Sequence, residues 1–381
     1  MKILISINSS WNVVNFRLRL VNTLIEQGNL VIIAAPKDKY SIALEELGAK
    51  YINFPINSHS TNLLSEIYLL FRFIKLFGEE KPDVVFAFTS KPNIYGSIAA
   101  GFWRIPIVNN IAGLGTAFIK GGLIKKILEI LYKNTLKRSK KVFFQNPEDL
   151  NLFIKSRIIN EKKTGLLPGS GVDLIKFNPK PINYILNKSK QENREIVFLL
   201  TARLLKEKGI LEYVEAARIV KTKLPNVKIA LLGFIDKTNP NSITCKQIDK
   251  WTADGLVEYW GESDDVRYQI ALADCVVLPS YREGTPRVLL EAAAMGRPLI
   301  ATNVPGCREI VINGYNGLLC RVKSPEDLAE KMISMAQQST QNIAKWGQNS
   351  RTLVELKFDE SIVINKYNEE ISNIQIKSKN K

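Results

Sequence analysis

The chain predicts an α/β protein made of two successive open parallel sheets. Two observations carry this. Short apolar runs alternate with amphipathic stretches of helical spacing along most of the sequence. Strand–helix alternation of this kind argues for an open parallel sheet with helices on both faces. The alternation stops once, over 178–193 (NPKPINYILNKSKQEN), and then restarts. That break is rich in Pro, Asn and Lys and reads as an interdomain linker, giving domains 1–180 and 181–357.

In the first half, strands are expected at Ile3–Ile7, Leu30–Ala35, Tyr51–Pro55, Asp83–Phe88, Ile107–Ile111, Val142–Gln145 and Thr164–Leu167. Amphipathic segments between them include Phe16–Gln27, Leu63–Phe77 and Ile94–Trp103. Ligands of such sheets bind beyond the carboxyl ends of the strands, so Asn8–Asn15 is read as a loop and a site wall. In the second half, strands are expected at Ile196–Thr201, Val227–Leu232, Val257–Trp260, Cys275–Leu278, Leu299–Ala301 and Gly317–Cys320. Helices are expected at Ile210–Thr222, Val266–Ala273, Val288–Met295, Pro325–Met335 and about Asn342–Val354.

Composition removes several classes. With 381 residues, 45% hydrophobic, the chain has enough apolar content for two packed cores. It has no run of 18 or more apolar residues, which argues against a spanning helix, and MKILISINSS lacks the apolar core of a signal peptide. The four cysteines (Cys245, Cys275, Cys307, Cys320) form no CxxC pair, which fits a reducing cytoplasm. The single histidine, His59, lies in a polar stretch and reads as a solvated loop residue. Net charge is +16, and residues 1–180 hold 25 Lys/Arg against 13 Asp/Glu. A basic first half can face nucleic acid, an anionic membrane or a phosphorylated substrate.

The stretch PSYREGTPRVLLEAAAMG (279–296) organises the chemistry. An apolar strand ends at Pro279, Gly284-Thr285-Pro286 turns the chain, and a helix follows. A glycine-containing turn feeding a helix start suits a phosphate. Glu283 and Glu291 flank that point and can accept from sugar and ribose hydroxyls. The plainer reading is a capping and a solvated glutamate. TARLLKEKG adds Arg203 and Lys208 at another strand exit, where a planar fork and a point charge can together neutralise a diphosphate. In EYWGESDDV, the backbone at Gly261 can read a base edge, or Asp265 can simply cap the next helix. There is no GxGxxG, no GxxxxGK[ST] and no Asp-x-Asp. On the Leu123–Lys137 stretch, Lys126, Lys133 and Lys137 share one stripe, with Ile124, Ile127, Leu128 and Leu131 broadly opposite. Such a helix can lie on an anionic membrane or be an ordinary surface helix.

TARLLKEKG, YWGESDDV, LADCVVLPSYREGTPRVLLEAAAMGRPLIATNVPGCREIV and NGYNGLL together resemble the retaining glycosyltransferases of family 4. SKPNIYGSIAA, AGLGTAF and LPGSGVDLIKF resemble the branch that builds capsule, O-antigen and N-glycan precursors on undecaprenyl diphosphate, such as campylobacter-type N-acetylgalactosaminyltransferases. The resemblance implies the GT-B fold, two Rossmann-like domains across a cleft, with a helix over 358–377 joining the first. It gives Arg203 and Lys208 the donor diphosphate, Glu291 the ribose, and Glu283 the transferred sugar. Gly284, Thr285, Pro286 and Arg287 follow at phosphate and sugar, with Gly261 near the base. Asn15, Arg17, Lys91, Gly113 and Gly115 are expected on the acceptor side. Two positions depart from the family: Ser9-Ser10-Trp11 replaces a common glycine pair, and Ala112 stands where many relatives have histidine.

The expected reaction is retaining transfer of an N-acetylhexosamine or hexose from a UDP-sugar to a lipid-diphosphate-linked saccharide, with no cofactor and no metal. The expected location is the inner face of the cytoplasmic membrane, peripherally bound. One alternative is a nucleotide-sugar epimerase of similar build, although such enzymes rely on carboxylates and histidines in the cleft and this chain has one histidine. The other is a nucleic-acid-binding protein, which rests on charge alone; no binding module is recognisable, so no nucleic-acid partner is expected.

Overall fold

A computed structural model describes residues 1–57, 62–114, 122–179, 195–237 and 239–379. The chain divides into two compact units, 1–171 with 360–381, and 172–359. The first crossing thus lies before the expected position 180. Val172 donates its N–H to Phe358 O (2.8 Å), and Val172 and Phe177 are buried in the second unit's core. The expected linker falls, from 180 onward, outside the described residues, as does His59.

The first unit holds a seven-stranded parallel sheet of order β3-β2-β1-β4-β5-β6-β7. Its strands are β1 (Lys2–Ser6), β2 (Leu30–Ala35), β3 (Lys50–Asn53), β4 (Val84–Phe88), β5 (Ile107–Ile111), β6 (Lys141–Phe144) and β7 (Thr164–Leu166). Side chains alternate across the sheet: Ile3, Ile5 and Phe86 enter one core, Leu4, Val85 and Ala87 the other. The second face is covered by helix Leu63–Glu80 through Leu69, Phe73, Leu76 and Phe77. The first is covered partly by the last helix, Glu360–Lys379, whose Val363, Tyr367, Ile371 and Ile374 recur at helical spacing. Tyr367 is buried among Phe86, Phe88 and Phe143, and its hydroxyl accepts from Asn110 Nδ2 at 3.0 Å.

The start of the chain corrects the sequence reading. Asn8–Asn15 is not all loop: Ser10–Phe16 is helical, capped by the Ser9 hydroxyl, which accepts from Asn12 N–H. The expected single helix Phe16–Gln27 is consequently broken at Arg17, and a separate helix runs Leu18–Glu26. Helices Ser41–Glu46, Pro147–Lys155 and Cys245–Ala253 add to those expected.

The second unit holds six parallel strands in the order β10-β9-β8-β11-β12-β13. These are β8 (Val197–Thr201), β9 (Lys228–Leu232), β10 (Glu258–Tyr259), β11 (Cys275–Leu278), β12 (Leu299–Thr302) and β13 (Gly317–Cys320). Helices Ile210–Lys223 and Pro325–Ala336 pack on one face. Arg287–Ala294 and Thr340–Lys357 pack on the other. All four cysteines are free thiols, three of them buried. Among the described residues no helix is long and apolar enough to cross a membrane.

Candidate active site

In the second sheet the strand order turns back between β8 and β11. Open α/β sheets bind ligands beyond the carboxyl ends of the strands at such a point. Two loops leave it, 202–209 after β8 and 279–286 after β11. Gly209 sets their spacing. It has φ +75°, and a Cβ there would lie 2.1 Å from the Pro279 carbonyl oxygen. Only glycine permits this approach. The loops are then fastened by Glu207 O, which accepts from Tyr281 N–H (2.9 Å).

This fastening brings Lys208 to Glu283 across 75 residues of sequence. Lys208 Nζ and the Ser280 hydroxyl (2.6 Å) both donate to Glu283 Oε1. The pair is only partly screened by water, with side chains 22% and 11% exposed. Oε2 receives no hydrogen bond from the described residues and can accept from a substrate hydroxyl. The ammonium keeps donors for a phosphate beyond its bond to the carboxylate.

The turn Gly284-Thr285-Pro286 is backed by the loop after β12. Gly306, at φ +81°, lies so close that a Cβ would sit 2.3 Å from Gly284 O. The Thr302 hydroxyl donates to Ser280 O. Helix Arg287–Ala294 then begins at Pro286 with no side-chain cap, so its positive end faces the turn. One turn along, Arg287 Nε donates to Glu291 Oε1 at 3.0 Å. Burial pushes the Glu291 carboxyl above the ordinary glutamate range, and the Arg287 charge opposes that shift.

Arg203 is exposed at the exit of β8. Gly261 is brought to the same edge by a stack of loops: Gly233 N–H donates to Gly261 O at 2.8 Å, and Gly233 crowds the Ala202 carbonyl. Lys208, Glu283 and the 284–286 turn therefore form one cluster, with Arg287 and Glu291 a turn further on. Asp265 accepts from the Arg267 backbone and guanidinium, but it does not cap helix Arg267–Leu272, whose N-cap is Val266 with no side-chain cap. Ser280 was missed in the sequence; its only signal is its position three residues before Glu283.

The first-unit residues are placed separately. Arg17 is buried, its guanidinium over the Phe88 ring (4.2 Å to the centroid) and bonded to the Asn12 side chain. Asn15 donates back to Trp11 O within its own helix. Lys91, just after β4, pairs with Glu66. Gly113 follows β5 with φ +148°, and Gly115 lies outside the described residues. On helix Gly122–Thr135 and the turn after it, Lys126, Lys133 and Lys137 are exposed. Tyr132 and Leu136 are buried beneath them, but Ile127 and Ile130 are exposed, so Ile127 does not join the buried face.

A family model described as "Glycosyl transferases group 1" matches residues 183–353, and one described as "Glycosyl transferase 4-like" matches residues 2–146. The chain belongs to these glycosyltransferases, with the GT-B fold; that assignment sets the epimerase aside. The chain is 27% identical to the N,N'-diacetylbacillosaminyl-diphospho-undecaprenol α-1,3-N-acetylgalactosaminyltransferase of Campylobacter jejuni, covering 93% of this chain and 94% of that one. It is 26% identical to the UDP-Gal:α-D-GlcNAc-diphosphoundecaprenol α-1,3-galactosyltransferase of Escherichia coli, covering 76% and 75%. Anabaena HepE in complex with UDP and glucose has the same fold, with a TM-score of 0.79, 21% identity and coverage of 98% and 100%.

Proposed function

We propose that this glycosyltransferase moves an N-acetylhexosamine or hexose from a UDP-sugar to a saccharide on a lipid diphosphate, with retention at the anomeric carbon. The observation that carries the reading is the Lys208–Glu283–Ser280 cluster at the switch point, beside an uncapped helix start. Lys208, Arg203 and that helix end would stabilise the leaving diphosphate. Glu283 Oε2 would accept from a hydroxyl of the transferred sugar and favour the positive charge that grows on its ring. Glu291 would accept from the ribose, and the Gly261 backbone would lie near the base. The printed activities of the Campylobacter and Escherichia relatives support the lipid-diphosphate acceptor.

Front-face transfer requires no protein nucleophile, because the acceptor proton can pass to the leaving phosphate. The acceptor belongs with the first unit, whose basic excess over residues 1–180 suits a lipid diphosphate. The exposed stripe Lys126, Ile130, Lys133, Lys137 mixes cations with an apolar side chain, as a helix resting on an anionic membrane does. The test is incubation of the protein with labelled UDP-sugars and a polyprenyl-diphosphate saccharide. Retention of configuration in an extended acceptor is expected. Inversion, or hydrolysis of the donor with no extended lipid, would refute the proposal.

A further inference from the structure

A second basic site lies at the opposite edge of the first sheet, where β5, β6 and β7 begin. There a cavity of about 920 Å³ opens between the end of helix Ser97–Trp103, the turn before β6, the residue before β7 and the last helix. Arg104, Arg138, Lys140, Lys163 and Lys377 line it, and among the described residues no carboxylate does. The neighbouring Glu370 lies 4.0 Å from Lys141, outside the lining.

Four features make this more than a solvated charge run. Ser139 also lines the cavity, is only 1% exposed, and its hydroxyl has no hydrogen-bond partner among the described residues. A buried hydroxyl is ordinarily satisfied, so an orphan calls for a missing ligand or water. Arg104 is the left-handed C-cap of helix Ser97–Trp103 (φ +57°), its N–H donating to Ala100 O, which fixes its backbone at the cavity wall. Gly101 leaves the room in which the Arg138 guanidinium lies: a Cβ there would be 3.1 Å from Nη1. Burial lowers the Lys140 pKa, and nearby Lys377 lowers it further, with Glu370 opposing and Lys163 adding. Cations crowded in this way are relieved by an anion among them.

We infer that this cavity binds a phosphate-bearing anion, with Arg104, Arg138, Lys140, Lys163 and Lys377 neutralising it and the Ser139 hydroxyl donating to it. Arginine forks and lysine point charges around one space match a group with several phosphate oxygens. The phosphate can belong to a soluble diphosphate or to a phospholipid headgroup. Phe102, on the cavity wall, is 64% exposed and packs edge-on against Trp103 (5.2 Å between centroids), giving the cations an apolar lip. The site is independent of the sugar-transfer reading, since none of its residues is assigned to donor or acceptor.

The test compares two double variants of the full chain. Arg104→Asn with Lys377→Gln removes two cavity charges, and asparagine accepts the left-handed backbone at 104. Lys223→Gln with Lys246→Gln removes two exposed charges from the other unit. Pyrophosphate is titrated at constant ionic strength with excess UDP present. Wild type and the control should bind alike, and the cavity variant at least about tenfold more weakly, as loss of charged hydrogen bonds implies. The lipid arm measures co-sedimentation with phosphatidylglycerol-containing vesicles against phosphatidylcholine alone. A loss of vesicle binding specific to the cavity variant identifies the headgroup as the source; a loss confined to pyrophosphate identifies a soluble one. Equal behaviour of both double variants in both arms, or no binding by wild type, overturns the inference.

Discussion

Glutamine in place of Glu283 keeps the shape of the side chain and an acceptor for Ser280, but removes the charge. In the structure that charge faces Lys208 on one oxygen and leaves the other oxygen open. A hydrogen bond to a charged group is worth roughly 1.5–3 kcal/mol. The sugar ring gains positive charge only as the donor bond breaks, so the loss should fall on kcat, by roughly tenfold to over a hundredfold. KM should change little. The Lys208–Glu283 pair is mostly buried, but glutamine keeps an acceptor for Lys208 and Ser280, so the substitution should cost about 1 kcal/mol of stability. For a domain of this size that is a Tm decrease of roughly 2–4 °C. Steady-state kinetics with the active donor and a melting curve separate the two effects. A variant that loses a few degrees but keeps wild-type kcat and KM would show that the pair only fastens the two loops.

Other substitutions follow from the same geometry. Glu291→Gln should mainly raise KM, because ribose contacts change little during transfer. Since burial raises the Glu291 pKa, its contribution to folding is full at acid pH and is lost as pH rises through the folded pKa; the stability of wild type relative to the glutamine variant should therefore fall with pH, as melting curves from pH 4 upward will report. Gly209→Ala places a Cβ on the Pro279 carbonyl at a left-handed position, which should cost roughly 1–3 kcal/mol from overlap alone and weaken UDP binding by displacing Lys208; a variant with wild-type Tm and nucleotide affinity would contradict this. Reversing Lys126, Lys133 and Lys137 to Glu should release the protein from anionic vesicles, at about 1 kcal/mol per residue, whereas unchanged sedimentation of the folded variant would mark a plain surface helix. Transfer should survive EDTA, and complete loss restored by manganese or magnesium would contradict the role given to the cations.

The sheets were legible because strands covered on both faces are mostly apolar: β2 and β11 begin and end where their apolar runs do. Helix Ser10–Phe16 was not, because SWNVVNF is short and carries β-branched Val and Asn, weak helix formers; the cap at Ser9 and its buried Val13 decide there. The residue types of the second-unit site could be read from three short stretches of sequence, but not the partners. Lys208 meets Glu283 only because Gly209 lets one loop lie on the backbone of another, a tertiary contact with no local signature. The Arg287–Glu291 pair follows from a separation of four on a helix, a spacing the sequence does display. The basic cavity is assembled from four separated stretches, so charge counting found the excess in the first half without its location.

The central claim is that the donor diphosphate lies at the switch point of the second sheet. A crystal structure of the protein with UDP tests it directly. The β-phosphate should lie within hydrogen-bond distance of Lys208 Nζ and near the start of helix Arg287–Ala294, with Arg203 turned toward it and the ribose hydroxyls on Glu291. Nucleotide bound elsewhere, with the Lys208–Glu283–Ser280 cluster left unengaged, would contradict the account.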